Sequence, residues 1–382
     1  MSSTPSICVV QLAAYNVLSR RDDLRHIGGA EVQMVSLAKA LKGMGFPVTF
    51  VTWDHGQRDG EILDGLKVYK CFAPNDGLPL LRFLHPRWTM LNSALQRADA
   101  DVYFQSCADS LTGQVALWAR RHRRRFVFFV MHDWHCIPEL PGLRTRREQL
   151  LYRYGLRAAD CIVAQSIRQK AQLALWPGMN STVIYPTGGR QSDQLPLASF
   201  SDHRRPRVLW VGRLAKVKRL DWLLEIARAL PECDFDVVGG ANSTDVDAER
   251  FLCRAREFPN ITLHGAVPHT SMDPFYQSAL ALLSTSSAEG FPSVFIEAWS
   301  WGLPVVAALD IDDLISHNNL GIVGHSVPAL VEALRSVFKS RERWTYLSRQ
   351  ALGHYVRSHS PAIAARTMSR ILMAGSKWSS DA

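Results

Sequence analysis

The chain has 382 residues, 47% of them hydrophobic and 21% charged, and a formal net charge of +9. That length exceeds one typical core and predicts two domains of about 190 residues each, while the apolar content excludes a disordered chain. The longest unbroken apolar run, Phe126 to Met131, falls far short of the roughly 20 residues of a membrane span, and no secretory leader is recognisable, so a soluble cytoplasmic protein is expected.

In chain order, short β-branched and aromatic runs alternate with longer amphipathic ones. Strands are predicted over Ile7 to Ala14, Val48 to Trp53, Lys67 to Phe72, Asp101 to Gln105, Phe126 to Met131 and Asp160 to Gln165. A helix starting near Ala30 carries an apolar stripe of Val32, Val35, Leu37, Ala38 and Leu41, and Gly43 and Gly45 stop it. The polar stretch from Gly188 to Arg207 shows neither period and reads as a linker (188–206). The pattern then restarts, with strands at Arg207 to Gly212, Phe235 to Gly240, Ile261 to Val267, Ala279 to Thr285 and Leu303 to Ala308. Near-continuous apolar strands separated by helices imply parallel sheets covered on both faces. The expected fold class is therefore α/β, with two Rossmann-like doubly wound domains (1–187 and 207–360) facing each other across a ligand cleft.

Seven cysteines, Cys8, Cys71, Cys107, Cys136, Cys161, Cys233 and Cys253, are scattered without Cys-x-x-Cys spacing. Reduced thiols are expected rather than disulfides or zinc. Charge is uneven: 23 Lys and Arg stand against 15 Asp and Glu up to Thr187, and 21 against 20 after it. The excess is concentrated in Arg120 to Arg125 and Arg144 to Arg147. Such clusters suit an anionic membrane surface or a phosphate-bearing ligand, and they also suit a solvated helix face. Nucleic acid is disfavoured, because no aromatic platform or recognised motif accompanies the charge.

The chemistry is expected at strand ends. Gly28-Gly29-Ala30-Glu31 offers close backbone approach and the amides of a helix start, although a plain tight turn reads the same way. The G-x-G-x-x-G spacing of a dinucleotide site is missing there. In Val211 to Asp221, Arg213 and Lys218 directly follow a strand end, where cations can neutralise a pyrophosphate. Lys216 and Arg219 could equally be surface residues. At His264 to Val267 a glycine lets a flat ring lie against the backbone. In Ser287 to Ala308, Pro292 suits the first turn of a helix, and Gly290, Phe291, Ser293 and Val294 would expose amides at its start. Glu289 precedes that helix and Glu297 lies one turn inside it, one acid on each side of an anion seat. A carboxylate accepts two hydrogen bonds at once and so suits paired hydroxyls.

Together these residues carry a resemblance. Glu289 to Glu297, E-G-F-P-S-V-F-I-E, resembles the Glu-x7-Glu motif of the retaining glycosyltransferases of family 4, which have the GT-B fold. VGRLAKVK (Val211 to Lys218), GGAE and HGAV are similar to further elements of that family, in order, from about Ile7 to Arg370. The resemblance implies that Arg213 and Lys218, with backbone from Gly290 through Phe291, Pro292 and Ser293 to Val294, hold the diphosphate of a UDP-, GDP- or ADP-sugar. It implies further that Glu297 binds the ribose, Glu289 the transferred hexose-type sugar and Gly265 the base, while Gly28 and Gly29 approach phosphate or sugar from the other domain. His132 falls where the family often has a histidine near the reacting sugar, and Asp133 and Ser166 are weaker matches. The family's usual glycine after the lysine is Arg219 here, and Leu309 to Val323 is shorter than usual. A last helix, about 361–382, is expected to cross back to the N-terminal domain.

The activity so implied is transfer of a hexose-type sugar to a hydroxyl of a glycan or lipid-linked acceptor, in cell-surface polysaccharide or glycolipid biosynthesis. It would be metal-independent, with the protein peripheral on the cytoplasmic face of the membrane. A sugar-nucleotide epimerase and a catalytically silent scaffold partner share the architecture.

Overall fold

The computed structural model describes residues 4–20, 28–78, 83–190, 197–200, 205–240 and 246–374. Parts of the loop before Gly28 (21–27), of the polar stretch after Thr187 (191–196 and 201–204) and of the final segment (375–382) lie outside the described residues. Two compact units result: one takes in the described residues up to Thr187 and from Pro361 onward, the other runs from Gly188 to Ser360.

The first unit has eight described strands, β1 (Ile7–Val10), β2 (Val48–Thr52), β3 (Glu61–Leu63), β4 (Leu66–Lys70), β5 (Val102–Ser106), β6 (Arg125–Phe129), β7 (Cys161–Ala164) and β8 (Thr182–Val183). They are ordered β3-β4-β2-β1-β5-β6-β7-β8, with only the β3–β4 pair antiparallel. Ile7 pairs in register with Val48 on one side and Val102 on the other. The alternation of β structure explains why these strands are apolar throughout. Cys8, Val10, Tyr103, Phe126 and Phe128 face one buried core, and Ile7, Val9, Val102, Val127 and Phe129 face a second on the opposite side of the sheet. The helix Pro361–Met373 packs on the helix Gly29–Gly43 and buries Ala364, Ala365, Met368 and Leu372 in that second core. The Arg125 guanidinium donates to the Leu372 carbonyl at 2.9 Å.

The second unit holds β9 (Arg207–Val211), β10 (Asp234–Val238), β11 (Ile261–Gly265), β12 (Ala281–Ser284), β13 (Val305–Ala307) and β14 (Gly321–Val323). Their order is β11-β10-β9-β12-β13-β14, and every pair is parallel.

Three strands escaped the sequence reading. β8 and β14 have two and three residues, too few to show a period. β3 had a usable signal, because Asp64 and Gly65 between it and β4 both have positive φ (48° and 73°), the two-residue Asp-Gly hairpin turn. The expected strands also end earlier than read, since β6 stops at Phe129 and Leu12–Ala14 after β1 forms a 3-10 turn.

Both sheets have a switch point, where strands leave the first strand in opposite directions. It lies between β1 and β5 in the first unit and between β9 and β12 in the second. Loops at the carboxyl ends of those strands diverge and leave a crevice for a ligand.

Candidate functional site

In the second unit, the switch point brings together the loops that follow β9 and β12. Thr285 Oγ1 donates to the Lys218 carbonyl at 2.5 Å, and the Ser287 amide donates to the Val217 carbonyl at 2.8 Å. On the other side of β9, Gly239 (φ 155°) lets the end of β10 approach the end of β9, because a Cβ there would stand 1.8 Å from the Gly212 carbonyl oxygen. The Lys218 ammonium forms a short ion pair with Glu289, both side chains 18% exposed. Arg213 is exposed and makes no side-chain hydrogen bond or ion pair among the described residues.

The neighbouring helix begins at Ser293, with Pro292 as its cap residue in extended conformation. This corrects the expectation that Pro292 lies inside the first turn. Pro292 also has no N–H to offer an anion. The Phe291 ring is buried and packs at 5.2 Å from His359 and 6.5 Å from Trp299. No side chain caps the helix, so Ser293 and Val294 keep amides without an intrahelical acceptor.

The two glutamates have different surroundings. Glu297 is 8% exposed, and its carboxylate points to the segment after β11. Oε2 accepts from the Tyr276 hydroxyl at 2.5 Å, and Oε1 lies 3.4 Å from His269 Nε2. Glu297, His269, Tyr276, Arg190 and Trp301 line one recess. Burial pushes the His269 imidazolium towards losing its proton, but the hydrogen bond and charge of Glu297, with Asp273, outweigh it and raise the pKa. Burial and then the Glu297 charge hold the Tyr276 hydroxyl well above its usual range, so it stays a donor. His269 and Tyr276 were missed in the sequence.

Gly265 ends β11 with φ 67°, and a Cβ there would meet nothing within 4 Å, so the strand end is open. Beside it His264 Nε2 lies 2.7 Å from Asp236, which also pairs with Arg207 at 3.0 Å. Leu309 to Val323 folds as a 3-10 turn, a short helix Leu314–Asn318 and β14.

In the first unit, Gly28 is the extended cap residue of the helix Gly29–Gly43. A Cβ on Gly28 would stand 2.4 Å from Glu31 Oε2, so the Glu31 carboxylate lies back over the turn. Glu31 Oε1 accepts from Gln11 Nε2 at 2.9 Å, and Gln11 accepts from Ser106 Oγ at 2.5 Å. This chain of hydrogen bonds spans the β1/β5 switch point. A carboxylate on that turn repels phosphate and accepts from a hydroxyl.

His132 is exposed just beyond β6, its ring parallel to Trp134 at 6.4 Å. Asp133 accepts from Gln169 Nε2 at 3.1 Å, Gln169 Oε1 accepts from the Gln165 amide at 2.8 Å, and the Gln165 side chain donates to Gln33 at 2.6 Å. Gln33 belongs to the helix Gly29–Gly43. The His132 loop and that helix are thus joined through buried amides. Ser166 caps the helix Ile167–Leu173 by accepting from the Gln169 amide at 3.0 Å, a structural duty.

The basic cluster after Trp118 is partly committed. Arg124 pairs with Asp99 at 2.7 Å and Asp101 at 3.2 Å, and Arg125 serves Leu372. Arg144, Arg146 and Arg147 are exposed, with Arg147 over the Phe83 ring at 3.9 Å. One Asp-x-Asp spacing, Asp245/Asp247, reaches outside the described residues, and three more lie within them at Asp99/Asp101, Asp234/Asp236 and Asp310/Asp312. Arg124, Arg205, Arg207 and the amides of Ile315 and Ser316 occupy five of those six acids. Among the described residues no group of three His, Cys, Asp or Glu is placed to hold a metal ion. All seven cysteines are free.

The model of the family described as Glycosyl transferase 4-like domain matches residues 28–188, and that of Glycosyl transferases group 1 matches residues 205–340. Sucrose-phosphate synthase from Thermosynechococcus elongatus superposes with a TM-score of 0.76 at 18% identity, over 97% of this chain and all of that one. The chain carries the two domains of a GT-B glycosyltransferase. Anabaena HepE, solved in complex with UDP and glucose, is a second neighbour in fold, with a TM-score of 0.74, 16% identity and coverage of 97% and 100%. D-inositol 3-phosphate glycosyltransferase 1 of Catenulispora acidiphila is 26% identical over 227 residues, 52% of this chain and 54% of that protein. The chain thus spans about half the length of that curated relative.

Proposed function

We propose that this glycosyltransferase moves a hexose-type sugar, with retention, from a nucleoside diphosphate sugar to a hydroxyl of a glycan or lipid-linked acceptor. The observation that carries the reading is the Lys218–Glu289 ion pair beside the uncapped helix start at Ser293. It couples a phosphate-binding cation to a sugar-binding acid in one contact. Arg213, Lys218 and the amides of Ser293 and Val294 neutralise the charge that grows on the diphosphate as the glycosidic bond breaks. Such groups act on turnover more than on ground-state binding. Glu289 accepts from the hydroxyls of the transferred sugar, Glu297 from the ribose, and the open end of β11 at Gly265 receives the base. The neighbour bound to UDP and glucose supports a donor of this class.

In the first unit, Glu31 lies over the Gly28–Gly29 turn. That favours a sugar or acceptor hydroxyl there over phosphate. His132 is the residue assigned to the reacting sugar. An anionic bilayer presenting a lipid-linked acceptor suits the surplus of arginine in this unit, and cell-surface polysaccharide or glycolipid synthesis on the cytoplasmic face suits such an acceptor.

A thermal melt with UDP, GDP, ADP and NAD tests the donor site. A ligand at a hundred times its Kd adds about 2.7 kcal/mol, which shifts Tm by several degrees. One nucleoside diphosphate is expected to give that shift in the wild type and a smaller one in Glu297→Ala. No shift with any of them ends the donor-site reading.

A further inference from the structure

We propose that His269 and Tyr276 form a two-point clamp that fixes the Glu297 carboxylate and sets its selectivity for a vicinal diol. The inference rests on the reading of Glu297 as the ribose-binding acid and assigns two residues that act through it. A carboxylate has about four lone-pair positions. Tyr276 takes one on Oε2 and His269 faces Oε1, so each oxygen retains acceptor capacity while rotation about the terminal bond is stopped. Two oxygens fixed in one plane match two adjacent hydroxyls, whereas a freely turning carboxylate must lose that freedom on binding.

The clamp is built for rigidity. Tyr276 is 1% exposed in the helix Asp273–Ser278, and His269 opens the 3-10 turn His269–Ser271. Both follow directly on β11, whose end is the open Gly265. Ser300 Oγ, in the last turn of the same helix, donates to the Glu297 backbone carbonyl at 2.6 Å. The clamp residues therefore position the acid and do not themselves need to touch the nucleotide.

The test uses calorimetric affinities for whichever of UDP, GDP and ADP binds, each against its 2′-deoxy counterpart, on the full chain. Hydrogen bonds to a charged group make the wild type prefer the ribonucleotide by about tenfold or more. Tyr276→Phe removes one oxygen only, and it should shrink that preference several-fold while leaving 2′-deoxynucleotide affinity unchanged. His269→Leu should do the same, and His269→Gln, which keeps an N–H donor, should restore part of the preference. If Glu297→Gln leaves the preference intact, the diol reading of Glu297 itself fails. If Glu297→Gln abolishes it while Tyr276→Phe and His269→Leu retain it in full, the clamp is wrong. Equal loss of both nucleotides in the clamp variants would show a merely structural role and would also overturn it.

Discussion

Single residues in the glycosyltransferase show where the backbone limits choice. Arg219 stands where the resembling family has glycine, and its φ of 46° and ψ of 61° are left-handed. That geometry explains the family's glycine and makes arginine a strained substitute. Its guanidinium lies 4.3 Å from the Trp222 ring, a partial compensation. Arg219→Ala keeps the strain and loses the ring contact, so Arg219→Gly should be the more stable variant by about 1–2 kcal/mol in urea unfolding. A second prediction concerns acid. Burial, then the neighbouring His132, pushes His135 down to about 3, and burial with Arg357 pushes His354 down to about 4. Unfolded, both titrate at the ordinary 6.5. The folded chain therefore binds fewer protons than the unfolded one below that pH, and stability falls as pH drops through the window. Each histidine should cost roughly 1.4 kcal/mol at pH 5.5 relative to neutral pH, and His354→Gln should flatten the curve of unfolding midpoint against pH.

At the scale of elements, the helix Arg146–Ala158 has two unlike faces. Its inner face packs backbone to backbone on the helix Ser110–Arg121. A Cβ on Gly113 would stand 2.4 Å from the Leu151 carbonyl oxygen, and one on Gly155 would stand 2.7 Å from Thr112. Its outer face exposes Arg146, Arg147, Leu150 and Arg157, with Arg147 lying over the Phe83 ring. Arginines interleaved with apolar side chains suit a bilayer interface better than the partly committed Arg120 to Arg125 run. Neutralising Arg144, Arg146 and Arg147 should weaken sedimentation with phosphatidylserine liposomes by about a hundredfold, at about 1 kcal/mol per charge. Binding that is unchanged by this triple substitution removes the membrane from the proposal. The same scale explains what the sequence could reveal. The glycine turns, Lys218 and the two glutamates were legible because each sits at a strand end or helix start whose local pattern announces it. His269 and Tyr276 were not, since Tyr276 meets an acid 21 residues away. Gln11 and Ser106 meet across 95 residues. Neither separation leaves a periodic trace, and only the folded sheet order makes these pairs neighbours.

For the molecule as a whole, the main consequence lies in how the chain is divided. The first unit is discontinuous: its sheet comes from residues before Thr187, yet one helix of its core is Pro361–Met373. Met368 is fully buried there. Met368→Ala should cost about 2–5 kcal/mol, read as a lower Tm for the unit holding Trp118 and Trp176 than for the other. During synthesis the same arrangement imposes an order of assembly. When Thr187 has been added, the second apolar face of the first sheet still lacks its closing helix, and the whole of the second unit must be translated before that helix exists. At ribosomal rates of about 5–20 residues per second, that face waits for roughly ten to thirty-five seconds. The second unit, complete in sequence at Ser360, is therefore the first to have all of its core on the ribosome, and the N-terminal half is the one whose exposed apolar face needs protection meanwhile.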